Sequence, residues 1–217
     1  MTGIFTQLMR FVIASSAKYG IDESHGLSHS LSVLHFANKI YEAELYTYPS
    51  IKPQEKIIYT AAIVHDMCDS KYFDNIDEGI SRIDKFLTTL KTPAVERNII
   101  IDIVDTMSYS KIKQNGFPCH GEYQRAFHIV READLLSAYD FDRCMLFKMH
   151  KTQDGDLGAA FEDAEQLFKT RMFKHKTDGL LTTQYAIDNH EILVAKAIER
   201  IESWRNTIGR VRNMEKI

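Results

Sequence analysis

Apolar residues recur at three- and four-residue spacing along nearly the whole chain, the repeat that gathers side chains on one face of an α-helix. Phe5, Leu8, Met9, Val12 and Ile13 set that rhythm over residues 4–19, and Gly20 is placed to stop it. A second helix is predicted from about Asp22–Ser24, whose acidic and hydroxyl groups can satisfy free amides, through Leu27, Leu31, Leu34 and Ile40 toward Leu45. His25 and His29 then lie one turn apart on a single face. Pro49 and Pro53 bracket a turn, with Pro53 suited to open a third helix through Ile57, Ile58, Ala61 and Ala62 to the His65-Asp66 pair.

Residues 70–77 read as an irregular connection, followed by helices over 80–90 and 93–104. Between Met107 and His120, Ser, Lys and Asn residues with Gly116 and Pro118 predict a loop or flap rather than a continued helix. Helical spacing resumes from Glu122 to about Lys148, with a kink or division expected at Asp140–Asp142. Two more helices are predicted near 159–173 and 183–204, and the basic tail after Gly209 is expected to fray. The β-branched run 98–104 resembles a strand in isolation, but its flanks are helical and no hairpin partner occurs elsewhere. The prediction is an all-α fold. Residues 1–217 form a single domain in this reading, with the helix over 4–19 packed on the remainder, because no compositional shift marks a boundary.

A length of 217 residues with 44% hydrophobic and 26% charged positions suits one sizeable core and excludes a wholly disordered chain. The net charge of -3, from 27 basic and 30 acidic residues, gives no cationic field for a nucleic-acid polymer. No apolar run approaches the ~20 residues that cross a bilayer, so a membrane partner is not expected. Cys68, Cys119 and Cys144, without a secretory signal, read as reduced thiols in a cytoplasmic protein. Monomer and homodimer both remain open.

The chemistry-bearing positions interrupt apolar helical segments. His65-Asp66 closes the stretch Tyr59-Thr60-Ala61-Ala62-Ile63-Val64, where an imidazole and a carboxylate beside a dry core need a reason to be there. His29 and Asp134 break two other core-facing segments. If the helices converge, two imidazoles and two carboxylates could ligate a divalent ion with positions left for water and phosphate. Spacing alone equally allows three separate hydrogen-bonded arrangements.

The ordered set His29, His65-Asp66 and Asp134 resembles the HD-domain phosphohydrolase superfamily across roughly residues 22–200. Asp22-Glu23-Ser24-His25-Gly26-Leu27-Ser28-His29 is similar to its opening motif, Ala61-Ala62-Ile63-Val64-His65-Asp66 to its central helix, and Arg131-Glu132-Ala133-Asp134-Leu135-Leu136 to its closing segment. His65-Asp66-Met67-Cys68-Asp69-Ser70-Lys71-Tyr72 further resembles the HDxxDxKY form of small bacterial HD nucleotide pyrophosphohydrolases. The resemblance implies an HD-type helical bundle holding one main divalent metal on His29, His65, Asp66 and Asp134. Mn is the first choice, with Fe, Co, Ni, Zn or Mg as alternatives. Met107 stands where some relatives carry a histidine, which argues against a binuclear site.

The implied reaction is hydrolysis of a small phosphorylated metabolite, foremost a nucleoside or deoxynucleoside triphosphate to monophosphate and pyrophosphate. Asp69 would orient or deprotonate the attacking water, Lys71 would contact phosphate, and His25 would donate to phosphate or move protons. Lys111, Lys113, Arg171 and Lys174 are further cationic candidates for a polyphosphate. Tyr72 and Tyr109 are candidate base or sugar contacts, and His120 could cap the site. Each of these residues also has an ordinary place on a solvated or packed surface. His128, His150, His175 and His190 show no ligand pattern of that family. Alternative activities are a 5'-nucleotidase, a guanosine tetraphosphate hydrolase, which Ser70 in place of a second acid weakens, and a non-catalytic nucleotide sensor retaining a structural metal.

Overall fold

A computed structural model of the chain describes residues 2–73, 75–151 and 155–214. In chain order its helices are α1 (Thr2–Tyr19), α2 (Leu27–Thr47), α3 (Glu55–Val64), α4 (Ile76–Thr89), α5 (Ala94–Thr106), α6 (Tyr109–Asn115), α7 (Gln124–Ser137), α8 (Phe141–Lys151), α9 (Leu157–Thr170) and α10 (Gln184–Met214). Short 3-10 turns at Pro49–Gln54, Gly121–Tyr123 and Met172–Lys174 join some of them, and no strand occurs among the described residues. The all-α prediction is met.

The centre of the bundle is α3, in which every residue from Ile57 to Val64 is buried. A helix apolar on all sides needs neighbours all round, and α1, α2, α5 and α7 supply them. The most extensive packing joins α2 to α7, which brings α2, α3 and α7 into mutual contact. Side chains carried on those three helices, or on the turn that ends α3, can therefore meet.

Gly20, at φ +64°, ends α1 in the left-handed region that glycine enters without a Cβ penalty. Several predicted boundaries move, and α4 starts at Ile76, inside the expected irregular connection 70–77. α2 starts at Leu27 rather than near Asp22, because Asp22 and Ser24 form a local turn, His25 N donating to Asp22 O at 3.0 Å. Pro53 falls inside the 3-10 turn, two residues before α3. The expected loop between Met107 and His120 contains α6: Ser108 accepts from Lys111 N, and Gly116 at φ +75° ends the helix. Capping residues at both ends of a short helix carry the composition of a loop. The division near Asp140 does occur, between α7 and α8. The tail after Gly209 runs as helix to Met214, continuing α10, whose buried stripe is Ala197, Ile201 and Ile208.

Two close contacts position the parts that matter. A Cβ on Gly79 would lie 2.6 Å from Cys68 Cβ and 2.7 Å from Cys68 Cα, so only glycine lets α4 approach the turn after His65-Asp66 so closely. Glu132, fully buried on α7, accepts from the backbone amides and hydroxyls of Thr182 and Thr183 at 2.6–2.9 Å and from Arg131 at 2.8 Å. That cluster fixes the chain entering α10 onto the helix that carries Asp134. No described helix is long and apolar enough to cross a membrane.

Candidate metal centre

His29 stands in the first turn of α2, His65 and Asp66 follow the last residue of α3, and Asp134 lies in the last turn of α7. Nε2 of His29 and Nε2 of His65 are 3.1 Å apart. Asp66 Oδ2 is 3.2 Å from the first and 3.3 Å from the second. Asp134 Oδ1 completes the group at 3.3 Å from His29 Nε2 and 3.8 Å from His65 Nε2. His29, His65 and Asp66 are buried, whereas the Asp134 side chain is 26% exposed and faces a cavity. His29, His65 and Asp66 offer three ligand atoms close enough to share one metal ion.

The hydrogen bonds on the far sides of the two rings decide what the near sides present. His65 Nδ1 lies 2.9 Å from the Ala62 carbonyl, which only accepts, so the neutral ring has its proton on Nδ1 and a lone pair on Nε2. His29 Nδ1 lies 3.1 Å from Ser137 Oγ, whose own proton is donated to Ser32 Oγ at 3.1 Å. Ser137 therefore accepts from His29, and His29 Nε2 also carries a lone pair. Two lone pairs facing each other at 3.1 Å repel unless a cation or a proton lies between them. Asp66 Oδ2 adds a buried oxygen without a hydrogen-bond partner, since in the neutral rings neither Nε2 has a proton to offer it. Two imidazole nitrogens and the Asp66 carboxylate fit a divalent ion, with the Asp134 carboxylate beside them.

Electrostatics point the same way. Burial alone would lower the His65 pKa, but the Asp66 and Asp134 carboxylates and the Ala62 carbonyl outweigh it and push the value up to about 9. Burial would raise the Asp66 and Asp134 carboxyls, yet the neighbouring imidazoles hold both below the ordinary range. The cluster attracts positive charge, which a metal would supply in place of a proton.

A cavity of about 210 Å³ opens beside this cluster. Four carboxylates line it, Asp66, Asp69, Asp105 and Asp134, and three cations, Lys71, Lys111 and Arg171. A divalent ion would turn this net charge of -1 into +1, a reversal that favours an anion. Lys71 Nζ donates to Asp69 Oδ2 at 2.7 Å, and Lys111 Nζ donates to Asp105 Oδ1 at 2.7 Å. Arg171 differs from both. Its guanidinium lies 3.9 Å from the centre of the Tyr109 ring, its Nε has no hydrogen-bond partner, and it forms no ion pair with a described carboxylate. Burial pulls its pKa down, with Asp134 opposing.

No protein-family model, curated protein or solved structure matches the chain. The placement of its side chains thus carries the functional argument. Tyr109, Lys111 and Arg171 line the cavity together with Asp69 and Lys71. Tyr72, Lys113, His120 and Lys174 lie outside that lining. Tyr72 Oη donates to Asp22, Lys113 pairs with Asp178 at 2.9 Å, His120 Nδ1 faces Asp102 at 2.8 Å while its ring stacks on Phe127, and Lys174 is exposed. His25 is buried against Lys71, its Nε2 3.2 Å from Nζ. Sequence reasoning missed Ser137 and Asp105. Ser137 had a signal, a hydroxyl three residues after Asp134 within a core-facing stretch, and Asp105 had one too, its place in the segment 104–111 that resembles part of the same family, though neither was given a role.

Proposed function

We propose that the chain is a single-domain, HD-type, metal-dependent phosphohydrolase that cleaves a nucleoside or deoxynucleoside triphosphate to the monophosphate and pyrophosphate. The observation that carries this reading is the pair of imidazole lone pairs and the orphaned Asp66 oxygen, opening on a cavity that also holds Lys71, Lys111 and Arg171. His29, His65, Asp66 and Asp134 would hold the ion, which when bound supplies Lewis-acid polarisation of a phosphoryl oxygen and an acidified water.

The chain's own groups provide the rest. Arg171, the lining cation without a carboxylate partner, is free to clamp a phosphate through two parallel N–H bonds. Lys71 and Lys111 can exchange their carboxylate contacts for phosphate oxygens. Such an exchange releases Asp69 to accept a proton from the attacking water. A volume of about 210 Å³ is below the roughly 300 Å³ at which sites for whole drug-sized ligands begin, so phosphates fit inside and the base stays at the rim. Tyr109, half-buried in the lining, has one face already covered by Arg171.

The test is metal-stripped protein resupplied with Mn²⁺ and offered nucleoside triphosphates, nucleoside monophosphates and guanosine tetraphosphate, with phosphate resolved from pyrophosphate. Release of pyrophosphate with nucleoside monophosphate is expected. Orthophosphate as the sole inorganic product would replace this reaction with a phosphatase, and tight metal binding without turnover of any substrate would overturn the enzyme reading in favour of a sensor.

A further inference from the structure

Hydrogen bonds around Asp22 decide which nitrogen of His25 carries its proton. Burial opposes charge on Asp22, but bonds from Ser24 and Tyr72 outweigh it and hold the carboxyl below its ordinary range, so it is ionised at neutral pH. A carboxylate has no proton to give, and the Ser24 and Tyr72 hydroxyls both donate to it. The same two oxygens lie 2.7 Å and 2.9 Å from His25 Nδ1. With their protons committed to Asp22, they only accept from the ring. His25 therefore carries its proton on Nδ1 and turns an Nε2 lone pair toward Lys71 Nζ, 3.2 Å away. The ring is neutral, because the Lys71 ammonium can only donate and so requires a lone pair on Nε2.

We propose that Asp22 is a positioning residue: through Ser24 and Tyr72 it fixes the His25 tautomer whose Nε2, with Asp69, holds the Lys71 ammonium at the cavity. Asp69 alone, at 2.7 Å, leaves the ammonium free to rotate about one contact. The second acceptor restricts that rotation, and only the Nδ1–H tautomer of a neutral ring provides it. The catalytic use of Lys71 rests on the hydrolase reading; control of the tautomer does not.

Imidazole ¹⁵N NMR on the metal-free full chain reads the protonation of each His25 nitrogen directly. Wild type is expected to show Nδ1–H. In Asp22→Asn the new amide donates to one hydroxyl, that hydroxyl turns its proton to Nδ1, and the ring proton moves to Nε2, facing Lys71. With metal restored, kcat/KM is expected to fall about tenfold, the scale of one charge-assisted hydrogen bond. In a Lys71→Ala background the same substitution is expected to cost less than about twofold, since the group it positions is gone. Tyr72→Phe leaves Ser24 as an acceptor and is expected to retain Nδ1–H. A folded Asp22→Asn protein that keeps Nδ1–H, or that loses as much activity without Lys71 as with it, overturns the proposal. Should Asp22→Asn fail to fold, Ser24→Ala with Tyr72→Phe removes both acceptors; loss of the Nδ1–H preference is then expected, and its persistence overturns the proposal. Inversion of the tautomer in a protein inactive on every substrate would separate failure of the hydrolase reading from failure of this one.

Discussion

His175 should make the folded state sensitive to mild acid, and His175→Phe should remove that sensitivity. The ring is fully buried beside Tyr109 and Tyr139, and neither nitrogen has a hydrogen-bond partner. Burial first, then the charge of Arg171, with smaller effects of His190 and Arg131 opposed by Asp134, lowers its pKa to about 3 from 6.5. Below pH 6.5 the unfolded chain takes up a proton that the folded chain refuses, so stability is full above 6.5 and falls until about pH 3. At pH 5 this one ring accounts for a loss of about 2 kcal/mol relative to pH 7. Urea unfolding of metal-free wild type and His175→Phe at both pH values measures the difference. A larger ring costs packing energy at both pH values alike, so the change between pH 7 and pH 5 isolates the proton. That change should be about 2 kcal/mol smaller in the variant; an equal change in both proteins refutes the argument from burial.

Ser137→Ala removes the acceptor that fixes the His29 ring, and metal affinity measured by competition with a chelator should fall about tenfold or more while the fold persists. Unaltered affinity would show that Ser137 does not orient the ligand. Glu132→Ala strands two amides, two hydroxyls and the Arg131 guanidinium in the core, and should cost about 3–5 kcal/mol in urea unfolding. A loss under about 1 kcal/mol would mean that water or relaxation satisfies those groups.

Helical periodicity made most elements legible, because core-facing stripes such as Phe5, Leu8, Met9 and Val12 follow from packing a helix on one side. Periodicity failed where capping chemistry dominated. Around α6, Ser108 and Gly116 are the residues that start and stop a helix, and the seven residues between them are too few to show a repeat. The candidate metal cluster was only half legible. Polar residues inside apolar stretches marked His29, His65, Asp66 and Asp134 as unusual, but a stripe shows which face is buried and not what it is buried against. That α2 and α7 flank the end of α3 is a property of tertiary packing over separations of 36 residues for His29 and His65 and more than 100 for His29 and Ser137.

The cations show a sharper limit, and a more useful one. Lys111, Lys113, Arg171 and Lys174 were equivalent as sequence candidates, each a positive side chain near a polar segment, and only the HDxxDxKY resemblance set Lys71 apart. The structure separates them by their partners. Lys113 is bound to Asp178 away from the cavity, and Lys174 is exposed beyond it. Lys71 and Lys111 face the cavity but begin in carboxylate pairs, so binding an anion must first displace Asp69 or Asp105. For exposed pairs such as these the exchange costs little, because the original contact is worth at most about 1 kcal/mol. Arg171 has no such pair to break and is already desolvated, so its electrostatic gain on meeting a phosphate is the largest of the five. In the proposed reaction an anion entering the cavity would therefore meet Arg171 without breaking an ion pair, whereas contact with Lys71 would bring that lysine off Asp69.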